Sequence, residues 1–68
     1  MMKRINQRHN IGDSVLSLDG TEIGTIKEVR NDNKKIAYLV EYTEGDTIEY
    51  TGIEIEVRKL MLFNKTNV

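Results

Sequence analysis

The sequence lacks several residue types on which small proteins often depend. Its 68 residues contain no cysteine, no proline and no tryptophan, and a single histidine, His9. Without cysteine the chain can form neither a disulfide framework nor a thiolate zinc site, and one histidine cannot hold a structural metal alone. We therefore expect stability to come from apolar packing in a closed sheet, with no metal and no cofactor.

Long apolar runs and catalytic motifs are missing as well. The longest apolar run, 60–63, has four residues, whereas about 20 are needed to cross a bilayer. No phosphate loop, nucleotide fingerprint or metal-ligand spacing is present, and His9 lies in a polar segment outside the predicted fold. The sequence thus predicts a cytoplasmic protein that is not an enzyme and does not contact a membrane.

What the sequence does contain is a series of short apolar segments separated by glycine and Asn/Asp turns. This punctuation is typical of an all-β protein with short strands. Asp19-Gly20 is a strong turn signal, and Gly24 predicts a bulge or bend inside the second strand. The last predicted strand is indicated by the strict alternation of apolar and polar residues. The predicted strands span 14–18, 22–29, 36–43, 47–51 and 53–58.

The loop after the third strand fixes a predicted register. A three-residue loop at 44–46 pairs Val40 with Tyr50 and places the tyrosines and branched residues of both strands on one core face. The same register sets Glu41 directly opposite Glu49 on the outer face, where like charges are mildly destabilising. The pair is therefore a candidate for contact with a basic partner.

Three segments together resemble a known fold family. Gly12-Asp13-Ser14-Val15, then Asp19-Gly20 and Gly24-Thr25-Ile26, resemble the first two strands of SH3-like barrels of the KOW and Tudor-like kind. Later segments extend the resemblance to about residue 60. It implies a five-stranded SH3-like barrel over 11–63, preceded by a flexible basic arm at 1–10 and followed by a frayed tail at 64–68. Such barrels bind RNA, DNA, methylated tails, peptides or other proteins, so the resemblance leaves the function open.

Charge and apolar patterning indicate three candidate binding surfaces, each weighed against ordinary solvated surface. The net charge is −1, and acidic residues concentrate between 41 and 56. The first surface binds a protein through acidic side chains of the outer strands, namely Glu41, Glu44, Asp46, Glu49, Glu54 and Glu56. The second is an apolar contact for a partner or for a second copy in a homodimer, formed by Leu39, Met61 and Phe63. The third binds nucleic-acid phosphates through Lys3, Arg4, Arg8, Lys34 and Lys35.

Our interpretation of the sequence is a small non-catalytic protein-interaction module, an adaptor or inhibitor with a protein partner. Its composition, rich in Asn, Lys and Ile, would suit a bacterial, phage or mobile-element gene. The alternative is a nucleic-acid-binding, KOW-like barrel that uses the basic arm. The sequence pI of about 5.7 favours the first interpretation, because nucleic-acid-binding domains are usually strongly basic.

Overall fold

The structure is a computed structural model that describes residues 9–33 and 35–66. Its elements are β1 (Ser14–Leu16), β2 (Ile23–Asp32), β3 (Lys35–Tyr42), β4 (Thr47–Thr51) and α1 (Gly52–Thr66). Within these residues the strands form a four-stranded antiparallel sheet in sequence order. The prediction of a mainly β protein is confirmed, but the all-β prediction is wrong, because the 15 residues of α1 are helical. The closed barrel and the fifth strand are not found in the described part of the chain.

The core lies between one face of the sheet and one side of α1, which packs mainly against β1. The alternation along β3 points Tyr38, Val40 and Tyr42 to the same side of the sheet, where all three are buried. The predicted core face is confirmed for the three tyrosines and Val40, whereas Ile48 on the same face is 43% exposed. The complete buried cluster comprises Val15, Ile26, Tyr38, Val40, Tyr42, Tyr50 and Ile55.

The predicted fifth strand at 53–58 is wrong, because these residues begin α1. Thr51 and Glu54 form a capping box in which Thr51 Oγ1 accepts a bond from the Glu54 amide at 3.2 Å and Glu54 Oε1 accepts one from the Thr51 amide at 2.8 Å. These bonds satisfy two amides that the first turn of a helix leaves without partners. The helix continues to Thr66 and therefore includes 64–66 of the predicted frayed tail, while 67–68 lie outside the described residues.

The predicted register between β3 and β4 is offset by two residues. Val40 faces Ile48 and Glu41 faces Thr47, so Glu41 and Glu49 are not opposed. The loop has four residues, 43–46, and Asp46 O accepts a bond from the Tyr42 amide at 2.8 Å. Because side chains alternate with a period of two, this even offset leaves the core face unchanged while it changes every cross-strand pair.

Gly24 is not the site of the bulge in β2. The register shift lies between Ile26 and Glu28. At Gly24 the ring of Tyr42 and the side chain of Val40 instead approach the backbone closely. A Cβ there would lie 2.6 Å from Val40 Cγ1 and 2.7 Å from Tyr42 Cε1. Packing thus requires glycine at this position. Close approach of neighbouring atoms, like a bulge, is a common reason for glycine inside a strand.

Residues 1–8 of the predicted flexible arm lie outside the described part of the chain, and its last two residues contact the rest of the fold. His9 is only 6% exposed, and its ring meets the Tyr38 ring edge-on at a centroid distance of 5.3 Å. Lys59 Nζ lies 3.1 Å from His9 Nδ1 and donates a hydrogen bond to Asp13 Oδ2 at 3.0 Å. Asn10 donates its amide to the same carboxylate oxygen at 2.9 Å. These contacts attach the segment before β1 to α1.

Candidate functional site

An open cleft of about 480 Å³ lies at one end of the sheet. One wall is the turn between β1 and β2, the floor is formed by the inner face of β3 and β4, and α1 supplies one side chain. The cleft is lined by Ser17, Leu18, Asp19, Glu22, Tyr42, Asp46, Ile48, Tyr50 and Arg58. These residues come from four separate parts of the sequence, so only the folded chain brings them together.

The turn wall is held by hydrogen bonds centred on Ser17. Its Oγ donates to Asp19 Oδ1 at 2.7 Å and accepts the Glu22 amide at 3.0 Å, while Thr21 Oγ1 donates to Asp19 Oδ1 at 2.8 Å. These bonds begin the turn at Ser17, so β1 ends at Leu16 and not at the predicted Leu18. Leu18 consequently lies in the turn, where it is 71% exposed.

The floor of the cleft carries two tyrosines and a cation. The hydroxyls of Tyr42 and Tyr50 lie 2.9 Å apart and are hydrogen-bonded. The Arg58 guanidinium lies over the Tyr50 ring, with Cζ 4.3 Å from its centroid, an arrangement stabilised by cation–π attraction. Arg58 Nη1 also donates to the carbonyl of Glu54 at 3.1 Å. Packing and hydrogen bonds therefore fix both phenol groups and the guanidinium in place.

Two buried polar atoms of the cleft-lining residues have no hydrogen-bond partner among the described residues. They are Arg58 Nε, which carries a donor, and Glu22 Oε1, which is an acceptor. Leaving such an atom without a partner is unfavourable, and most such atoms in native proteins are satisfied. Both atoms belong to residues that line the cleft.

The rim of the cleft is acidic. Burial, followed by the negative charges of Glu44, Asp19 and Asp46, raises the pKa of Glu22. Hydrogen bonds from Ser17 and Thr21 lower the pKa of Asp19, so this carboxylate stays ionised at neutral pH. The cleft lining thus contains three carboxyl groups, those of Asp19, Glu22 and Asp46, and one positive charge, that of Arg58.

Nothing in the arrangement activates a nucleophile. Burial and the hydrogen bond with Tyr50 raise the pKa of Tyr42, which keeps its hydroxyl protonated and weakly nucleophilic. His9 packs against Tyr38 outside the cleft lining. Among the described residues no group of three or more His, Cys, Asp or Glu side chains could hold a metal ion. The cleft is suited to binding by hydrogen bonds and apolar contact.

The six predicted acidic residues do not form one surface. Glu41 lies 3.7 Å from Lys27 and Glu49 lies 3.8 Å from Arg30, both on the sheet face opposite the core. The Glu54 carboxylate caps α1, and Glu56 lies on an exposed part of the same helix. Of the remaining two, Asp46 lines the cleft, and the negative charge of Glu44 contributes to the raised pKa of Glu22.

The other predicted contact residues are also dispersed. Leu39 is half-buried on the outer face of the sheet, and Met61 is half-buried in α1. Phe63 is 62% exposed. Lys35 begins β3 and faces Asp32 across the turn. The rest of the proposed phosphate-binding set, Lys3, Arg4, Arg8 and Lys34, lies outside the described residues.

Sequence reasoning predicted one of the nine cleft residues, Asp46, and missed the other eight, namely Ser17, Leu18, Asp19, Glu22, Tyr42, Ile48, Tyr50 and Arg58. The Thr51-x-x-Glu54 pattern could have indicated Arg58, because this capping-box pattern predicts the start of a helix. On that helix Arg58 follows Ile55 by three residues and shares its side. No comparable signal marks Leu18 and Glu22, since their place in the cleft depends on how the turn lies against β4.

Comparisons with known proteins give no relative for this arrangement. No protein-family model, no curated protein and no solved structure matches the chain. The resemblance to SH3-like barrels stays a prediction. In the described part of the chain, the helix is neither long nor apolar enough to cross a membrane.

Proposed function

We propose that this protein is a non-catalytic protein-interaction module that holds a short segment of a partner protein in the cleft. The observation that carries this proposal is a cleft with exposed apolar side chains whose lining includes Arg58 and Glu22, the two residues with unsatisfied buried atoms, Nε and Oε1. A peptide unit carries both groups that this pair requires, because its carbonyl accepts and its N–H donates.

The charges of the cleft argue against a simple ion as the ligand. An anion near Arg58 would also meet Glu22 and the carboxylates of Asp19 and Asp46, and a cation near Glu22 would meet Arg58. A neutral peptide backbone avoids both repulsions. The acidic rim then favours a segment with a lysine or arginine next to the bound stretch, since its positive charge would be attracted by the rim.

Apolar contact supplies the remaining affinity. Leu18 is 71% exposed and Ile48 is 43% exposed, although Ile48 lies on the core face of the sheet. Covering such side chains stabilises a complex by about 25 cal/mol for each Å² of apolar surface removed from water. We therefore expect the partner segment to carry an apolar side chain beside its basic one.

The nucleic-acid alternative gains no specific support from the described residues. Lys27, Arg30 and Lys59 lie within ion-pair distance of carboxylates, and Arg58 is buried under the cleft. Phosphate binding would need several free cations on one surface. That alternative now depends on the lysines and arginines outside the described residues.

A random-peptide display library tests the proposed function. We expect selection on the tagged protein to enrich peptides that combine a lysine or arginine with a neighbouring apolar residue. A synthetic peptide of the enriched sequence should perturb the amide resonances of 17–22, 46–50 and Arg58. Ile48→Ser should weaken its binding about tenfold or more, because the apolar floor is lost.

The matched control is Ile23→Ser, since Ile23 is similarly exposed, at 54%, but does not line the cleft. Its affinity for the peptide should equal that of the unchanged protein. Enrichment of acidic peptides, failure to enrich any peptide, or equal loss of affinity in both variants would contradict the proposal.

A further inference from the structure

β4 is an edge strand of the sheet. In the described part of the chain it pairs only with β3. The Tyr42 amide of β3 donates to the carbonyl of Asp46, and the backbone groups of successive residues in a strand point alternately to its two edges. The amide and carbonyl of every second residue after Asp46 therefore face β3, whereas those of Thr47 and Glu49 point away from the sheet. We call this side of β4 the open edge.

The capping box agrees with this direction and marks where the open edge ends. The Thr51 amide, two residues beyond that of Glu49, points to the same side and donates to Glu54 Oε1 at 2.8 Å. Among the backbone hydrogen bonds of the described residues, none satisfies the outward groups of Thr47 or Glu49, and both residues are exposed. Their amides and carbonyls are thus available to another chain.

The two edges of the sheet differ in how they are protected. β1 has only three residues and packs against α1. β4 has five residues and contains neither lysine nor proline, the residues that commonly prevent pairing at an edge. Its one charged side chain, Glu49, lies 3.8 Å from Arg30 of the same sheet. β4 is therefore the edge that is open to pairing.

A strand paired with the open edge would place every second side chain beside the cleft. Ile48 and Tyr50 point to the inner face of the sheet, where both line the cleft. A partner residue level with Ile48 would point to the same face and contact it. Because Ile48 is exposed although it lies on the core face, we expect that partner residue to be apolar.

The charges next to the open edge indicate what kind of segment pairs with it. Glu44 and Asp46 precede β4, and no ion pair among the described residues includes either carboxylate. A second copy of β4 would not neutralise them, because 43–57 contains no lysine or arginine. A basic residue two positions from the apolar one would lie level with Asp46 on the same face. The charges therefore favour a basic segment of another protein over a second copy of this chain.

We infer that the partner segment is extended and pairs with the open edge of β4 as an added strand, held by the backbone groups of Thr47 and Glu49. This mode of binding rests on the function proposed for the cleft and specifies how the segment is held. Hydrogen bonds along the edge supply affinity that does not depend on the partner's sequence. The side chains beside Ile48 and Asp46 then select a segment with an apolar and a basic residue two positions apart.

Amide hydrogen exchange of the protein tests the added strand directly. The probe is the synthetic peptide of the sequence enriched by display. At saturation, exchange at Thr47 and Glu49 should slow about tenfold or more, because their amides become hydrogen-bonded. Unchanged exchange at both amides while the peptide is bound would overturn the inference.

Peptides that each carry one backbone N-methyl group give an independent test. Every second amide of an added strand donates to the open edge. Methylation should therefore weaken binding about tenfold or more at alternate positions and have a smaller effect at the positions between them, which are the matched controls. Effects without this alternation would show that the peptide is not paired with β4.

A proline at position 49 tests the same contact from the side of the protein. Glu49→Pro removes an outward amide and keeps the hydrogen bonds between β4 and β3, since proline is tolerated where the amide of an edge strand faces solvent. It should weaken peptide binding about tenfold or more. Glu49→Ala, which removes the side chain but keeps the amide, is the matched control and should bind normally. Circular dichroism would verify that both variants are folded, and the methylated peptides decide if Glu49→Pro is not.

The outcomes separate this inference from the function on which it rests. Binding that is lost in Ile48→Ser but unaffected by Glu49→Pro and by every N-methyl group would leave the cleft as a peptide site and overturn the added strand. Failure to enrich any peptide would contradict both. Loss of binding in Ile48→Ser and Glu49→Pro, with normal binding by Glu49→Ala, would support both.

Discussion

At the residue scale, the side chains of Val40 and Tyr42 leave no room for a side chain at Gly24. The Tyr42 ring lies over the Gly24 backbone, and its hydroxyl reaches Tyr50 at the edge of the cleft. The space left by the missing Cβ therefore sets the position of Tyr42. Through the hydroxyl pair, it also sets the floor of the candidate binding site.

Replacement of Gly24 by alanine should destabilise the fold by about 1–3 kcal/mol, the usual cost of adding a methyl group to a filled core. Urea denaturation would measure this as a lower midpoint. The control is Gly52→Ala, where the nearest atom, Tyr38 Cε1, would be 3.7 Å away and alanine is favoured in a helix. We expect that variant to be as stable as the original protein or slightly more so. Equal midpoints for Gly24→Ala and the original protein would contradict the packing described at this position.

At the element scale, the helical conformation of α1 determines which of its first two isoleucines, Ile53 and Ile55, is buried. In a strand, Ile53 and Ile55 would share one face and contribute equally. In the observed helix they lie on opposite sides, with exposed fractions of 76% and 0%. Truncation of these two side chains therefore distinguishes the two structures.

Ile55→Ala should lower the free energy of unfolding by about 2–5 kcal/mol, whereas Ile53→Ala should change it by less than about 0.5 kcal/mol. Denaturation monitored by circular dichroism gives both values. If Ile55→Ala does not fold, Ile55→Val should still show a loss of about 1 kcal/mol. Similar losses for truncation at 53 and at 55 would contradict the helix.

At the scale of the whole molecule, contacts between Asp13, Lys59 and His9 join residues near the start of the chain to the helix at its end. The hydrogen bond from the Asn10 amide, then that from Lys59, lowers the pKa of Asp13. A carboxyl whose pKa is lower in the folded state stabilises the fold above its unfolded pKa of about 3.9. It loses this contribution as the pH falls through its folded pKa.

Asp13→Asn should therefore cost stability at pH 7, by about 1 kcal/mol, because the side chain is about one-third exposed and solvent screens its charge. The difference from the original protein should shrink as the pH falls below about 4. Urea denaturation at pH 7 and at pH 3 measures both. The exposed Glu49→Gln serves as control, with a change within about 0.5 kcal/mol at either pH. A difference that persists undiminished at pH 3 would show that the ionised carboxylate is not the source of the effect.

Turn signals and alternation were enough to predict the first four strands and the core. Asp19-Gly20 marks a turn, and the alternation through Tyr38 to Tyr42 specifies which side chains are inside. These are local properties, because a strand with a period of two can bury only every second residue. The same alternation does not distinguish the predicted pairing of Val40 with Tyr50 from the observed pairing with Ile48, since both leave the same face inside.

The sequence alone determined that Tyr38, Val40 and Tyr42 would share the buried face of one strand. Only the tertiary structure decided the pairing of β3 with β4, the helix α1 and the cleft. Ile53 to Val57 alternate as a strand would, but the side of the sheet facing α1 needs a cover and the Thr51–Glu54 capping box starts a helix there. The cleft likewise joins positions from 17 to 58. Its geometry depends on contacts between distant residues, which neither composition nor local periodicity records.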